Sequence, residues 1–207
     1  MKGAVIGDSL LLPYEFLKKE KSQKKYSKYG LNQSLIDGFG ITSDDSDHLM
    51  MTYKSLKNTE NVTDFQKYLS KKLKSWLFTL PIGIGLTTIK SILKMLVGFS
   101  PDKSGIDSLG NGPLMRVAII STYFYDDEIK RNEYIKASTQ ITNNNLEAIK
   151  ITQLIGNVIA YIIKNNKKPT EEEYQNLLKC SNDLTKQYIN IFLNNLNTDL
   201  NSFLKLI

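Results

Sequence analysis

Val62-Thr63-Asp64-Phe65-Gln66-Lys67-Tyr68-Leu69-Ser70-Lys71-Lys72-Leu73-Lys74-Ser75-Trp76 places its apolar side chains at Val62, Phe65, Leu69, Leu73 and Trp76. Steps of three and four put all five on one face of an α-helix. Thr79-Leu80-Pro81 ends that helix, Ile82-Gly83-Ile84-Gly85 makes a turn, and Leu86 to Val97 reads as another helix. Residues 98–113, rich in glycine and proline, read as loop. Met115 to Tyr125 is apolar and compatible with helix or strand. Asp126-Asp127-Glu128 suits the first turn of a helix reaching about Ser138. Leu146, Ile149, Leu154, Ile155, Val158, Ile159 and Ile162 mark a long buried helix. Thr170-Glu171-Glu172-Glu173 is a capping box opening a last helix that carries Leu177, Leu178, Leu184, Tyr188, Ile191 and Phe192.

Upstream of the central stripe, residues 44–57 read as a helix. Residues 21–40, lysine-rich and then glycine-containing, read as a loop. Residues 3–20 read as a buried helix or helix-turn bearing Asp8 and Glu15, with Pro13 arguing against continuity between them. No internal repeat and no alternating strand pattern appears. The expected class is all-α, with one domain over residues 1–207.

The 207 residues are enough for a domain with a substantial core, and 41% hydrophobic with 23% charged residues is a globular composition. The net charge is +6, and much of the excess lies in Lys18 to Lys28 and Lys67 to Lys74. Such lysines form a solvated surface and can steer an anionic ligand such as a nucleotide. No nucleic-acid motif accompanies them, so no sequence-specific nucleic-acid partner is expected. With Cys180 as the single cysteine, no internal disulfide can form, and a small core residue is the expected role. The N-terminus reaches Asp8 too soon for a signal peptide, and the most apolar stretch, Leu154 to Ile163, is interrupted by Gly156 and Asn157. A cytoplasmic, reducing location without membrane contact is the expectation.

Ile41-Thr42-Ser43-Asp44-Asp45-Ser46-Asp47-His48 is the chemically dense segment. Adjacent acids repel unless something positive sits near them. A helix N-terminus capped by Thr42 or Ser43 is one answer, and a hard cation held by carboxylate and hydroxyl oxygens is the other. Asp8, set among Val5, Ile6, Leu10 and Leu11, is expected to be a buried acid bonded to nearby backbone amides. The sole histidine, His48, excludes a histidine-rich metal site and a histidine-based triad. The segment lacks the glycine and terminal glutamate of an EF-hand. Gly83-Ile84-Gly85 lacks the third glycine and preceding strand of a dinucleotide fingerprint.

Four stretches together resemble the ADP-ribosylglycohydrolase family. Gly3-Ala4-Val5-Ile6-Gly7-Asp8-Ser9-Leu10 followed by Pro13-Tyr14-Glu15 is similar to its N-terminal Gly-Ala-x-x-Gly-Asp-Ala-x-Gly-x-Pro-x-Glu. Ser43-Asp44-Asp45-Ser46 is similar to its Thr-Asp-Asp-Thr metal motif. Gly110-Asn111-Gly112-Pro113-Leu114-Met115-Arg116-Val117-Ala118 resembles its Gly-Asn-Gly-Ala-Ala-Met-Arg-Val-Ala. Ala137-Ser138 through Thr142, with Glu147-Ala148, resembles its Ala-Ser-x-x-Thr-His-x-x-x-Glu-Ala helix. The likeness spans roughly residues 1–165.

The resemblance implies a compact orthogonal helical bundle. It implies a cleft where two magnesium ions orient the ribose of an ADP-ribosyl group while water cleaves its glycosidic bond. By position, Ser43, Asp44 and Asp45 become metal ligands. Glu15 becomes the acid-base or cleft-gating carboxylate, with Asp45 also at the reacting centre. Asn111, Gly112 and Met115 become part of the loop that holds ADP-ribose. The implied partner is an ADP-ribosylated protein or an ADP-ribose-containing small molecule, met by a monomer. Two positions depart from the family. Asn143 stands where the family has histidine, and after Glu147 the acids Glu171, Glu172, Glu173, Asp183 and Asp199 form no Asp-x-Asp pair. Half of a two-metal site is therefore expected, holding one ion, two or none. The alternative is an inactive ADP-ribose-binding or interaction protein on the same fold.

Overall fold

The computed structural model describes residues 1–15, 17–31 and 40–177. They form ten helices: α1 Lys2–Glu15, α2 Lys19–Tyr29, α3 Asp44–Lys57, α4 Val62–Leu77, α5 Leu86–Leu96, α6 Pro101–Ser104, α7 Leu114–Tyr123, α8 Glu128–Thr142, α9 Leu146–Asn165 and α10 Glu171–Leu177. Among the described residues there is no strand, only a single parallel bridge between Ile106 and Asn143. The all-α class stands.

The stripe of α4 does what its spacing implies. Phe65, Leu69 and Leu73 are fully buried and Trp76 nearly so, against Ile92 and Met95 of α5 and Ile135 and Ile141 of α8. Each such side chain contributes roughly 1.5–3 kcal/mol by leaving water. Asn61 caps α4 by accepting the Asp64 amide. Around this core, α7, α8 and α9 pack on one another, α3 lies on α7, and α4 bridges α3, α5 and α8.

Glycine permits the closest helix approach. A Cβ at Gly156 of α9 would stand 2.3 Å from Ile135 Cδ1 and 2.8 Å from Ser121 Oγ. Its absence lets α9 seat against both α8 and α7. At 20 residues α9 has the length and mean apolarity of a bilayer span, though polar residues interrupt it. Here one side, including Ala148, Leu154 and Ala160, is buried in the bundle.

Three local expectations change. Residues 101–104, inside the expected loop 98–113, form the short helix α6. Residues 19–29 are helical rather than loop: α2 is polar all round and buries no residue, so it has no apolar period to read. Its lysines and glutamine are good helix formers, and Gly30 ends it with a φ of 62°. Helix α1 runs through Pro13 to Glu15 and buries only Ser9, Leu12 and Pro13. Proline in the last turn removes one helical hydrogen bond, and its ring packs against the bundle. Tyr14 Oη donates to the Gly30 carbonyl and Lys25 Nζ to the Pro13 carbonyl, tying α2 to the end of α1. The Thr170 capping box forms reciprocally: Thr170 N–H donates to Glu173, and Glu173 N–H to Thr170 Oγ1. The apolar positions foreseen after Leu177, with Cys180, Asp183 and Asp199, lie outside the described residues.

Candidate active site

The acidic segment starts α3, and its capping comes from two directions. Ser43 is the N-cap and its Oγ accepts the Asp45 amide at 3.2 Å. Asp8, reaching from α1, takes the remaining donors of that turn. Its Oδ2 accepts Ser43 N–H at 3.0 Å, Ser46 N–H at 3.2 Å and Ser46 Oγ–H at 2.5 Å. Its Oδ1 accepts Ser43 Oγ–H at 2.8 Å. Asp8 is thus an acid bonded to backbone amides as expected, but it is half-buried rather than buried, and its neighbours Ile6 and Leu11 are exposed. The amides belong to a segment 35 residues away, and two hydroxyls join them.

Asp44 is held from the other side. Its amide donates to the Ile82 carbonyl at 2.9 Å. Gly83 follows with a φ of 91°, a left-handed conformation that glycine adopts without steric cost. A Cβ there would lie 2.6 Å from Asp44 Oδ1. The turn read from Ile82-Gly83-Ile84-Gly85 therefore exists to let backbone pass over a carboxylate.

Two adjoining clefts, about 710 and 180 Å³, meet at this point. Glu15, Asp45, Asn111 and Met115 line both. Leu11, Leu12, Leu49 and Leu114 give the larger cleft an apolar wall. The smaller adds Asp44, Gly112, Thr87, Thr88 and Asn143. The structure thus brings together Glu15, Asp44, Asp45, Asn111, Gly112 and Met115, drawn from three separate segments, with Ser43 buried at the helix start behind them. Asn143, noted in the sequence only as a departure, is buried at the base of the smaller cleft. Its Nδ2 donates to the Ser108 and Gly110 carbonyls, fixing the loop that leads to Asn111.

The electrostatics are one-sided. Burial raises the Asp44 carboxyl to about 6, and the charges of Asp45, Glu15 and Asp8 add to the shift. Burial and then Asp45 and Asp8 raise Glu15; burial and then Asp8 raise Asp45. The ion pairs among the described residues, Lys67–Asp64, Lys130–Asp127 and Lys167–Glu173, all lie elsewhere.

Behind the clefts a buried cation braces the helices that carry them. Arg116 is fully buried. It donates to Ser138 Oγ, the Ser138 carbonyl, Thr142 Oγ1 and His48 Nδ1 at 2.7–3.2 Å. Because Nδ1 accepts, His48 carries its proton on Nε2. That nitrogen has no hydrogen-bond partner, and the ring meets Trp76 edge-on at 4.8 Å between centroids. Trp76 Nε1 in turn donates to Asp47 at 2.8 Å. Burial lowers the Arg116 guanidinium to about 9, so it remains charged at neutral pH. Burial and then Arg116 lower His48, which stays neutral. His48 is therefore a bracing residue between α3 and α7, and no sequence signal linked it to Arg116.

An all-α bundle whose cleft gathers carboxylates and a glycine-rich loop defines a class of oxygen-donor sites suited to hard cations. The ADP-ribosylglycohydrolase family pattern matches residues 1–200, and the chain belongs to that family. It is also similar to a protein of Acanthamoeba polyphaga mimivirus provisionally named an ADP-ribosyl glycohydrolase. The two are 27% identical over 209 aligned residues, covering 92% of this chain. The chain spans 62% of the length of that relative.

Asp44 and Asp45 offer carboxylate oxygens. The Ser43 hydroxyl, which donates once and accepts once, keeps one lone pair. They fit one side of a hard cation's coordination sphere. Among the described residues no three His, Cys, Asp or Glu side chains close around one point.

Proposed function

We propose that the protein hydrolyses an N- or O-glycosidic ADP-ribosyl linkage with the help of magnesium, removing ADP-ribose from a modified protein or related small molecule. The observation carrying this reading is the meeting of Glu15, Asp44 and Asp45 with the Asn111–Met115 loop where two clefts join, with no ion pair at that junction among the described residues. Ser43, Asp44 and Asp45 would hold the cation. Bound there, a divalent ion would supply Lewis acidity and an anchor for ribose hydroxyls and water.

The chain's own groups account for the remaining chemistry. Cleavage at an anomeric carbon develops oxocarbenium character, which neighbouring carboxylates stabilise. Glu15 lines both clefts, and its raised pKa suits a group that gives a proton to a leaving atom and recovers it from water. Asp45, exposed at the same junction, adds negative charge beside the reacting carbon. Asn111, Gly112 and Met115 position the ADP-ribosyl group between the apolar wall and the polar base. Leu11, Leu12 and Leu49 offer an apolar wall to the base or the ring of the ligand.

A second reading is a protein that binds ADP-ribose without turning it over. It is favoured by the lack, among the described residues, of three acids placed to share one metal ion. The test is magnesium-dependent release of ADP-ribose from a modified protein, with Asp44→Asn/Asp45→Asn as control. Release by the wild type that the double variant loses supports the hydrolase. No release, with ADP-ribose binding retained by calorimetry, supports the second reading and refutes the first.

A further inference from the structure

We infer that Asp8 is a positioning residue for the cation site: it aims the Ser43 hydroxyl and fixes the first turn of α3, setting the oxygens of Ser43, Asp44 and Asp45 before any ion arrives. This rests on the divalent-cation reading given above. The argument begins with donor bookkeeping at Ser43. A serine hydroxyl has one proton and two lone pairs. The proton is committed to Asp8 Oδ1 at 2.8 Å, and one lone pair receives the Asp45 amide at 3.2 Å. One lone pair is left, and its direction is set by the other two bonds. Without Asp8 the hydroxyl could rotate and present its hydrogen toward a cation.

Asp8 acts on the backbone as well. Its carboxylate takes the amides of Ser43 and Ser46, which bracket Asp44 and Asp45. It does so from α1, so it ties the start of α3 to the helix that also carries Glu15. Ser46 Oγ–H closes the same carboxylate from the far side. Asp8 thus satisfies four donors and has no need to bind the ion itself. A carboxylate behind a ligand, orienting it and raising its basicity, typically changes metal affinity 10- to 100-fold when removed.

The experiment is titration with Mn²⁺ followed by electron paramagnetic resonance of the free ion. It uses the wild type, Asp8→Asn, Ser43→Ala, Ser46→Ala and the Asp8→Asn/Ser43→Ala double variant. Far-UV circular dichroism and thermal midpoints establish that each is folded. Asp8→Asn and Ser43→Ala should each weaken Mn²⁺ binding about 10- to 100-fold. The double variant should lose far less than the product of the two, because both act through one oxygen. Ser46→Ala removes one of the four donors of Asp8 but leaves the Ser43 hydroxyl bound, so it should cost clearly less than Ser43→Ala. A purely structural role for Asp8 would instead give losses that multiply, and that result overturns the inference. So does wild-type Mn²⁺ affinity in folded Asp8→Asn. If Asp8→Asn does not fold, the contrast between Ser43→Ala and Ser46→Ala decides, and equal losses refute the proposal. Absence of Mn²⁺ binding to the wild type would instead remove the cation reading, and this inference with it.

Discussion

Replacing Asp44 by asparagine should stabilise the metal-free protein while abolishing cation binding. In the fold the Asp44 carboxyl titrates at about 6, against 3.8 for an unperturbed aspartate. That gap corresponds to about 3 kcal/mol between its two protonation states. Burial is the largest cause, followed by the charges of Asp45, Glu15 and Asp8, so the fold disfavours the ionised form. Below pH 3.8 the group is neutral in both states and its contribution to stability is fully present. Between 3.8 and 6 the native state binds more protons than the unfolded chain, and stability falls as pH rises. Above 6 the ionised carboxylate weakens the fold by the whole amount.

Asparagine has nearly the same shape and no charge. In chelator at pH 7.5 the variant should melt roughly 6–12 °C above the wild type, taking 2–4 °C per kcal/mol for a chain of this size. At pH 4 the two midpoints should converge. The assay is thermal unfolding by circular dichroism across pH 4–8, with and without magnesium; magnesium should raise the wild-type midpoint and leave the variant's unchanged. A variant less stable than wild type at pH 7.5, or a gap independent of pH, would refute the electrostatic account of this site.

Three further outcomes follow from the same geometry. Gly83→Ala puts a methyl 2.6 Å from Asp44 Oδ1 on a backbone of positive φ; it should cost about 1–3 kcal/mol by chemical denaturation and weaken Mn²⁺ binding. Arg116→Met leaves His48, Ser138 and Thr142 without their shared donor and should cost about 1–3 kcal/mol, measured by urea unfolding; a loss under about 1 kcal/mol would mean the network braces nothing. Glu15→Gln should lower turnover roughly 10²- to 10⁴-fold in single-turnover assays, with ADP-ribose affinity by calorimetry within a few-fold of wild type.

The parts of the fold that the sequence discloses are those in which one physical effect dominates. The stripe on α4 combines a period of three and four with large side chains, and its core positions are all buried save the partly covered Val62. The N-cap at Ser43 and the box at Thr170 are local bonds written in consecutive residues. Helix α2 escaped because a helix exposed on every side has no hydrophobic period, only the propensity of its lysines. At the site, the acids were legible as an excess of like charge. What packs around those acids was not legible. Asp8 reaches Ser43 and Ser46 across 35 and 38 residues. Gly83, dismissed as half of a nucleotide motif, matters only once Asp44 is seen beneath it. Arg116 joins three helices through partners 22, 26 and 68 residues distant, and no spacing rule connects them.

The central claim is that Asp44 and Asp45 grip a divalent ion beside a cleft shaped for an ADP-ribosyl group. Linkage between the two ligands tests it most directly: calorimetric titration of ADP-ribose into the wild type, with saturating magnesium and again in chelator. The account predicts binding that is at least tenfold tighter with magnesium, with the enhancement absent in Asp44→Asn/Asp45→Asn. ADP-ribose affinity that is the same with and without magnesium would contradict it.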